Sequence, residues 1–265
     1  MSDRSVMAAG TPELDALRNG ELDIKGRLVE ASNATFLCRL ESGPTCVYKP
    51  VAGERPLWDF PTGTLAAREV AAYVVSEAAG WHVVPPTVLR DGPLGPGMCQ
   101  LWVDDGGERL VDVVPPGQVP DGWISVLDGL DARGDPVRLV HADDERLRRL
   151  AVFDVVINNA DRKGGHVVVR ADGRVCGVDH GVSLHVDDKL RTVLWGWAGA
   201  PLSDAELAEL RKLRATIGAE TADTLRDLLS AEEVDAVGAR LDDLLADAVL
   251  PTAHGRLHPI PWPAF

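Results

Sequence analysis

The chain has 265 residues, 45% of them hydrophobic and 26% charged, with a formal net charge of -14 and a pI near 4.9. That length suits one large domain or two lobes with a sizeable core. The acidic balance argues against nucleic acid or an anionic membrane as partner. No basic run offsets it, because the densest cluster, Glu145-Arg146-Leu147-Arg148-Arg149, reads as the solvated face of a helix. Thr11-Pro12-Glu13 opens a short helix with a hydroxyl cap, a proline and a first-turn acid, and Asn19-Gly20 closes it. Three β-like runs follow at residues 23–30, 35–41 and 45–49, which predict an antiparallel meander. Residues 65–79 read as a helix ended by Gly80. Residues 87–90 and 98–103 read as strands about a Gly/Pro-rich hairpin.

Residues 104–140 are rich in Gly, Pro and Asp, with an apolar piece at 110–114, and are read as the hinge and connecting segment. It separates an N-terminal lobe, 1–103, from a catalytic and helical C-terminal lobe, 141–265. In the latter, Asp143-Asp144-Glu145 starts a helix that presents Leu147, Leu150, Val152, Phe153, Val156 and Ile157 as its apolar side. Short strands at 167–169 and 175–178 flank the turn Ala171-Asp172-Gly173. Ser203-Asp204-Ala205-Glu206 and Ser230-Ala231-Glu232-Glu233 match the capping box of helix starts. The stretch from Pro251 reads as irregular. The four cysteines, Cys38, Cys46, Cys99 and Cys176, form no Cys-x-x-Cys pair and read as buried reduced thiols. No apolar stretch approaches the ~20 residues of a membrane span, and the first residues lack the order of a signal peptide, so a cytoplasmic protein is expected.

The chemistry concentrates in Asn158-Asn159-Ala160-Asp161-Arg162-Lys163-Gly164-Gly165-His166, followed by Val178-Asp179-His180-Gly181. An acid in a Gly-rich loop, a hairpin and a second acid before glycine suit phosphoryl transfer, which needs an oriented nucleophile and a metal on the phosphates. Asp161 is the candidate base or nucleophile-orienting residue, and Asp179 the candidate Mg²⁺ ligand through hard oxygens. Arg162 either pairs with a carboxylate or steadies the transferred phosphate. Upstream, the turn residues Ser32, Asn33 and Ala34 offer amides and a hydroxyl to phosphate oxygens, or form an ordinary hairpin turn. Lys49 ends a strand, where packing does not require a lysine, and Glu69 is the acid near the middle of the next helix. Trp195 and Trp197 either pack the second lobe or line an apolar substrate wall.

Lys49-Pro50, Arg68-Glu69-Val70-Ala71-Ala72-Tyr73, Asn159-Ala160-Asp161-Arg162 and Val178-Asp179-His180-Gly181 together resemble the phosphatidylinositol 3-/4-kinase-related branch of the kinase superfamily, in particular its actinobacterial members of unassigned substrate. The Asp-Arg start of the loop is also similar to HipA-type bacterial kinases. The resemblance spans residues 28 to 197. It implies an α+β, two-lobed protein-kinase-like fold, with an N-terminal antiparallel sheet carrying one helix and a mostly helical C-terminal lobe. It implies ATP and Mg²⁺ as cofactors, with Lys49 on the ATP phosphates, Glu69 as its partner, Asp161 catalytic and Asp179 on the metal. Adenine is expected near Leu101, Trp102 and Val103. The family has asparagine as a second metal ligand five residues after the catalytic aspartate. This chain has His166 there, and imidazole suits softer metals than Mg²⁺.

The expected function is therefore an ATP-dependent kinase acting on a hydroxyl of an unidentified acceptor, whether lipid headgroup, metabolite or protein. Two rival readings remain. A nucleotide-binding pseudokinase is motivated by His166 and by the missing Gly-rich signature. A metallohydrolase would gather His166, Asp179, His180, His185 and Asp187 as nitrogen and oxygen ligands.

Overall fold

A computed structural model describes residues 11–28, 33–41, 43–219 and 221–265. The chain divides into two compact units. One comprises the residues up to Val70 together with Pro85–Trp102, the other Ala71–Val84 and Val103–Phe265.

The first unit is a five-stranded antiparallel sheet in the order β1-β2-β3-β5-β4, built from β1 (Leu22–Arg27), β2 (Phe36–Leu40), β3 (Thr45–Pro50), β4 (Thr87–Gly92) and β5 (Gly95–Leu101). The meander expected at the start of the chain forms its first three strands. The two strands after it reach further into the Gly/Pro hairpin than their composition suggested, leaving only residues 93 and 94 as the loop. Helix α1 (Pro12–Asn19) starts as its sequence dictates, with Thr11 Oγ1 accepting the Leu14 amide at 3.4 Å. Its Leu17 packs with Leu22, Cys38, Leu40, Cys46, Tyr48, Val88 and Cys99 into the sheet's core. Cys38 sits opposite Cys46 across β2 and β3. All four cysteines are free and buried, and burial pushes the Cys38 thiol up to about 11.

Helix α2 (Leu65–Ala79) starts against an acid from an earlier turn. The Glu54 carboxylate accepts the amides of Leu65 (3.2 Å) and Ala66 (2.8 Å). An anion at orphan amides is the favourable polarity for a helix start.

In the second unit, residues 104–140 are not a bare connection. They contribute β6 (Val111–Val114) and β7 (Trp123–Leu130), which join β8 (Pro136–Ala142) in an antiparallel sheet ordered β6-β8-β7. β8 lies between the other two and buries Leu139, Val140 and His141. His141 is kept neutral by burial, which lowers its pKa. Its Nδ1–H donates to the Ala142 carbonyl (2.9 Å) and its Nε2 accepts the Gly196 amide (3.0 Å).

Helix α3 (Glu145–Val156) is capped by Asp144, whose carboxylate accepts the Arg146 and Leu147 amides. It runs through the centre of this unit's core, with Leu147, Leu150, Phe153 and Val156 fully buried. β9 (Val167–Val169) and β10 (Val175–Gly177) form the expected hairpin. Helices α4 (Asp204–Ala219), α5 (Ala222–Arg226) and α6 (Ala231–Asp247) complete the unit. Both expected capping boxes form, Ser203 with Glu206 and Ser230 with Glu233. Among the described residues no helix is long and apolar enough to cross a membrane.

Candidate active site

The predicted residues fall into two groups, one in each unit. In the first, alternation along β3 buries Cys46, Tyr48 and Pro50 and turns Lys49 to the opposite face. There the Lys49 ammonium meets Glu69 of α2, Nζ to Oε1 2.6 Å. The Glu69 side chain is 2% exposed and that of Lys49 18%. A carboxylate this deep needs a cation against it, so the pair holds the ammonium in place while leaving part of it open to solvent.

Of the two roles open to the turn residues, the contacts of Asn33 and Ala34 are those of a turn. Ser32 lies outside the described residues. Asn33 Oδ1 accepts the Arg55 amide at 2.8 Å, and the Ala34 amide donates to the Gly53 carbonyl at 3.0 Å. The Ala34 amide, expected as a phosphate donor, is thus already engaged by the turn that follows β3. Gly53 permits this close approach, since a Cβ there would run into the Ala34 side chain. The amides of Leu101 and Trp102 are bound to the Pro86 and Thr45 carbonyls, at 2.9 and 3.0 Å. The chain passes from one unit to the other between Trp102 and Val103.

In the second unit, the loop after α3 gathers Asp161, Lys163, His166 and Asp179. Asn158, in the left-handed region at φ 51°, turns the chain out of the helix. Its buried side chain clamps the segment beyond Asp179, donating to the carbonyls of His185 and Asp187 and accepting the Lys189 amide. Asn159 Oδ1 accepts the Asp161 amide (3.0 Å) while its Nδ2 donates to Asp154 (2.9 Å). The Asp161 carboxylate is half-buried, 3.5 Å from Lys163 Nζ. Burial pushes its pKa up to about 6. The Lys163 ammonium offsets part of that rise and the negative Asp179 adds to it. A carboxyl that titrates near neutral pH is suited to accept and release a proton.

Asp179 also lies in the left-handed region, at φ 61°, a conformation that aspartate tolerates better than most residues. Its Oδ2 is 3.5 Å from His166 Nε2. His166 Nδ1 is 3.0 Å from the Asp161 carbonyl. A carbonyl can only accept, so Nδ1 carries the hydrogen and Nε2 is the nitrogen that faces Asp179.

Arg162 resolves the alternative left by its sequence: it pairs with a carboxylate. Its side chain and that of Asp154 are both fully buried, with Nη2 to Oδ1 2.9 Å and Nε within 3.1 Å of both carboxylate oxygens. Its remaining donors reach the carbonyls of His166 and Val178 and the ring of His180. The expectation that it touches the transferred phosphate therefore fails, because no part of the guanidinium is exposed. Gly177 makes room for it, since a Cβ would lie 2.7 Å from Nη2 and 2.9 Å from Leu150.

His180, taken up in this cluster, is not a companion of the other proposed metallohydrolase ligands, and His185 Nδ1 accepts the Asp187 amide. Among the described residues no three His, Cys, Asp or Glu side chains form a group able to hold one ion. Trp195 and Trp197 are buried, donating from their indoles to the Pro259 carbonyl and to Asp143, so they pack the unit.

Lys163, which lies within the loop motif but has no role assigned by the sequence, and Asp154, which lies outside every motif, both belong to the site. Asp154 stands seven residues after Leu147 and four after Leu150, on the apolar stripe of α3, where an acid signals a buried partner.

No protein-family profile matches the chain. Protein Rv2133c of Mycobacterium tuberculosis is 52% identical over 262 residues, 94% of each chain. Phosphatidylinositol 4-kinase gamma 4 of Oryza sativa subsp. japonica is 24% identical over 243 residues, which cover 76% of this chain and 38% of the rice protein. Among solved structures, the Golgi casein kinase superposes with a TM-score of 0.56 at 12% identity, covering 89% of this chain and 74% of the other. Its Mn/ADP-bound form gives 0.56 at 13% with the same coverage. The fold is therefore protein-kinase-like.

Proposed function

The chain belongs to the family of protein Rv2133c of Mycobacterium tuberculosis, and from the kinase-like fold and the two residue groups above we propose that it is an ATP-dependent kinase transferring the γ-phosphate to a hydroxyl. The observation that carries the reading is the grouping on one loop of half-buried Asp161, the Lys163 ammonium 3.5 Å from it, and the Asp179–His166 pair beside them, with the raised Asp161 pKa in accord. In the proposed step Asp161 accepts the acceptor's hydroxyl proton as that oxygen bonds to the γ-phosphorus. The bond from phosphorus to the β-phosphate bridging oxygen breaks, and ADP leaves. Lys163 neutralises charge beside the reacting oxygen, and Lys49, fixed by Glu69, holds the α- and β-phosphates. Leu101, Trp102 and Val103 receive the adenine. Arg162 is a positioning residue that holds the loop through Asp154.

Asp179 and His166 offer a carboxylate oxygen and an imidazole nitrogen side by side, a donor pair that fits a divalent cation shared with nucleotide phosphates. When bound, such a cation supplies charge neutralisation on the phosphates. Mg²⁺ is the expected ion, and the nitrogen donor should raise the standing of Mn²⁺ against it. ADP should then raise the melting temperature more with Mn²⁺ than with Mg²⁺, and His166→Asn should shift the preference back toward Mg²⁺. Equal preference in parent and variant would remove His166 from the metal site.

The kinase reading is tested by a thermal shift with ATP and Mg²⁺, then by transfer of labelled γ-phosphate to phosphatidylinositol vesicles, sugar-like metabolites and protein hydroxyls. Lys49→Ala and Asp179→Ala should each abolish the nucleotide-dependent shift or the transfer. Parental behaviour of both variants in both assays overturns the reading. The rice lipid kinase supports a phosphoinositide acceptor. The net charge of -14 disfavours an anionic membrane as the place of work. A second reading, a nucleotide-binding protein without transfer, draws on His166 in place of asparagine; nucleotide binding with no Asp161-dependent transfer would support it.

A further inference from the structure

The stretch beyond Pro251 has no regular secondary structure, yet its last residues are tied to the loop that carries Asp161. The Ala264 carbonyl accepts the Gly164 amide at 2.8 Å, three residues after Asp161. The Phe265 ring lies flush against Gly164: a Cβ at 164 would fall inside the ring's van der Waals shell. Further back, the Pro259 carbonyl accepts both the Thr192 amide (3.0 Å) and the Trp195 indole N–H (2.8 Å). Arg256 adds an ion pair to Asp188 and lies over the Trp195 ring. Thr192 is itself the parallel bridge partner of Arg162, whose amide and carbonyl bond to Arg191 and Val193. The loop is thus held from two directions. Asp154 grips it from the core through Arg162 and Asn159, and residues 259–265 grip it at Gly164 and through Thr192.

We propose that residues 259–265 are a strap that sets the reactive conformation of the Asp161 loop, with Phe265 as its positioning residue and Gly164 as its seat. The proposal rests on the kinase reading for its activity readout and on geometry alone for its exchange readout. Gly164 is required at its position because it admits the ring, which explains a glycine immediately after Lys163. The strap acts on the placement of Asp161 and Lys163 rather than on nucleotide binding, since its contacts fall on the loop and on residues 188–195.

The test uses the full chain with Phe265→Ala, Phe265→Leu, Gly164→Ala and the double variant Gly164→Ala/Phe265→Ala. Hydrogen exchange should speed up at the Gly164 and Thr192 amides in Phe265→Ala and in Gly164→Ala, and remain nearer the parent's in Phe265→Leu. The phosphoryl-transfer kcat should fall about 10- to 100-fold in both single alanine variants, the scale expected for a small misplacement of a reacting group, with KM for ATP unchanged. Because both substitutions dislodge the same ring, the double variant should be no worse than either single one. Unchanged exchange at Gly164, strictly multiplicative losses, or a rise in KM matching the fall in kcat would each overturn the strap. So would faster transfer in Phe265→Ala, which would make the segment a brake. If the parent transfers no phosphate under any condition, it is the kinase reading that fails, and the exchange data alone decide the strap.

Discussion

Asp161→Asn is expected to reduce phosphoryl transfer by about 100- to 10,000-fold, the range associated with a positioned general base, while leaving the protein at least as stable as its parent at neutral pH. The second half follows from the same physics as the first. Burial raises the Asp161 pKa to about 6, so holding it ionised at pH 7 costs the folded state free energy that an isosteric neutral amide does not. A residue that matters only for folding would show the reverse: lost stability, with activity falling in proportion. The sign of the pH dependence is also fixed. The base works ionised, so kcat should decline as pH falls through about 6 and plateau above it. Loss of that acid limb is not measurable in the asparagine variant if its activity vanishes, so Asp161→Glu, which keeps a titratable group, is the useful companion. A pH profile flat from about 5 to about 8 in the parent would remove Asp161 from the role of base.

Asp154→Ala is expected to be the most destabilising substitution in the second unit. It leaves the fully buried Arg162 guanidinium facing a void, and removing one partner of a buried ion pair typically costs about 3–5 kcal/mol. For a protein of this size that lowers Tm by roughly 6–20 °C. Asp154 also accepts from Asn159 and Thr192, so the damage extends to the residue two before Asp161 and to the segment bridged to Arg162. Activity should therefore fall further than the loss of folded protein explains. Asp154→Asn keeps the volume and one acceptor but not the charge, and should recover only part of the stability. The informative comparison is Asp154→Leu/Arg162→Met, which removes both charges. It should be milder than Asp154→Ala alone, because an apolar pair leaves no uncompensated ion. A double variant as unstable as the sum of the singles would mean that the pair is valued for its contacts rather than its charge balance.

Much of this arrangement is legible in the order of residues alone. Lys49 at a strand end and Glu69 inside an apolar helix are anomalous placements taken singly, and an ion pair is what makes both reasonable. The caps of α1, α4 and α6 are local chemistry, so their sequences suffice. The sheet β6-β8-β7 was not legible, for a physical reason. β7 is exposed along most of its length, with Leu127 and Leu130 facing outward, so it lacks the alternation that marks a half-buried strand. The glycines and aspartates that looked like a hinge are its turns. The sequence leaves two roles open for the Ala34 amide because its partner, the Gly53 carbonyl, is distant in the chain and only folding brings it there. The roles of Asp154 and of residues 259–265 depend on contacts between segments far apart in sequence. Composition holds no trace of the second beyond its prolines.

The buried thiols give the two units separate signatures. Cys38, Cys46 and Cys99 sit in the sheet of the first unit, and Cys176 alone sits in β10 of the second. Alkylating reagents attack an accessible thiolate, and all four thiols are buried; burial also raises the Cys38 and Cys176 pKa, whereas the hydrogen bond to Cys99 lowers that of Cys46, whose protection rests on burial. Adducts then accumulate only when a unit opens. Intact mass sorts the events: three adducts record opening of the first unit, one adduct opening of the second, and four the loss of both. Without any introduced label, the wild-type chain keeps a tally of which half breathes, and a nucleotide that grips Lys49 should slow the triple adduct first.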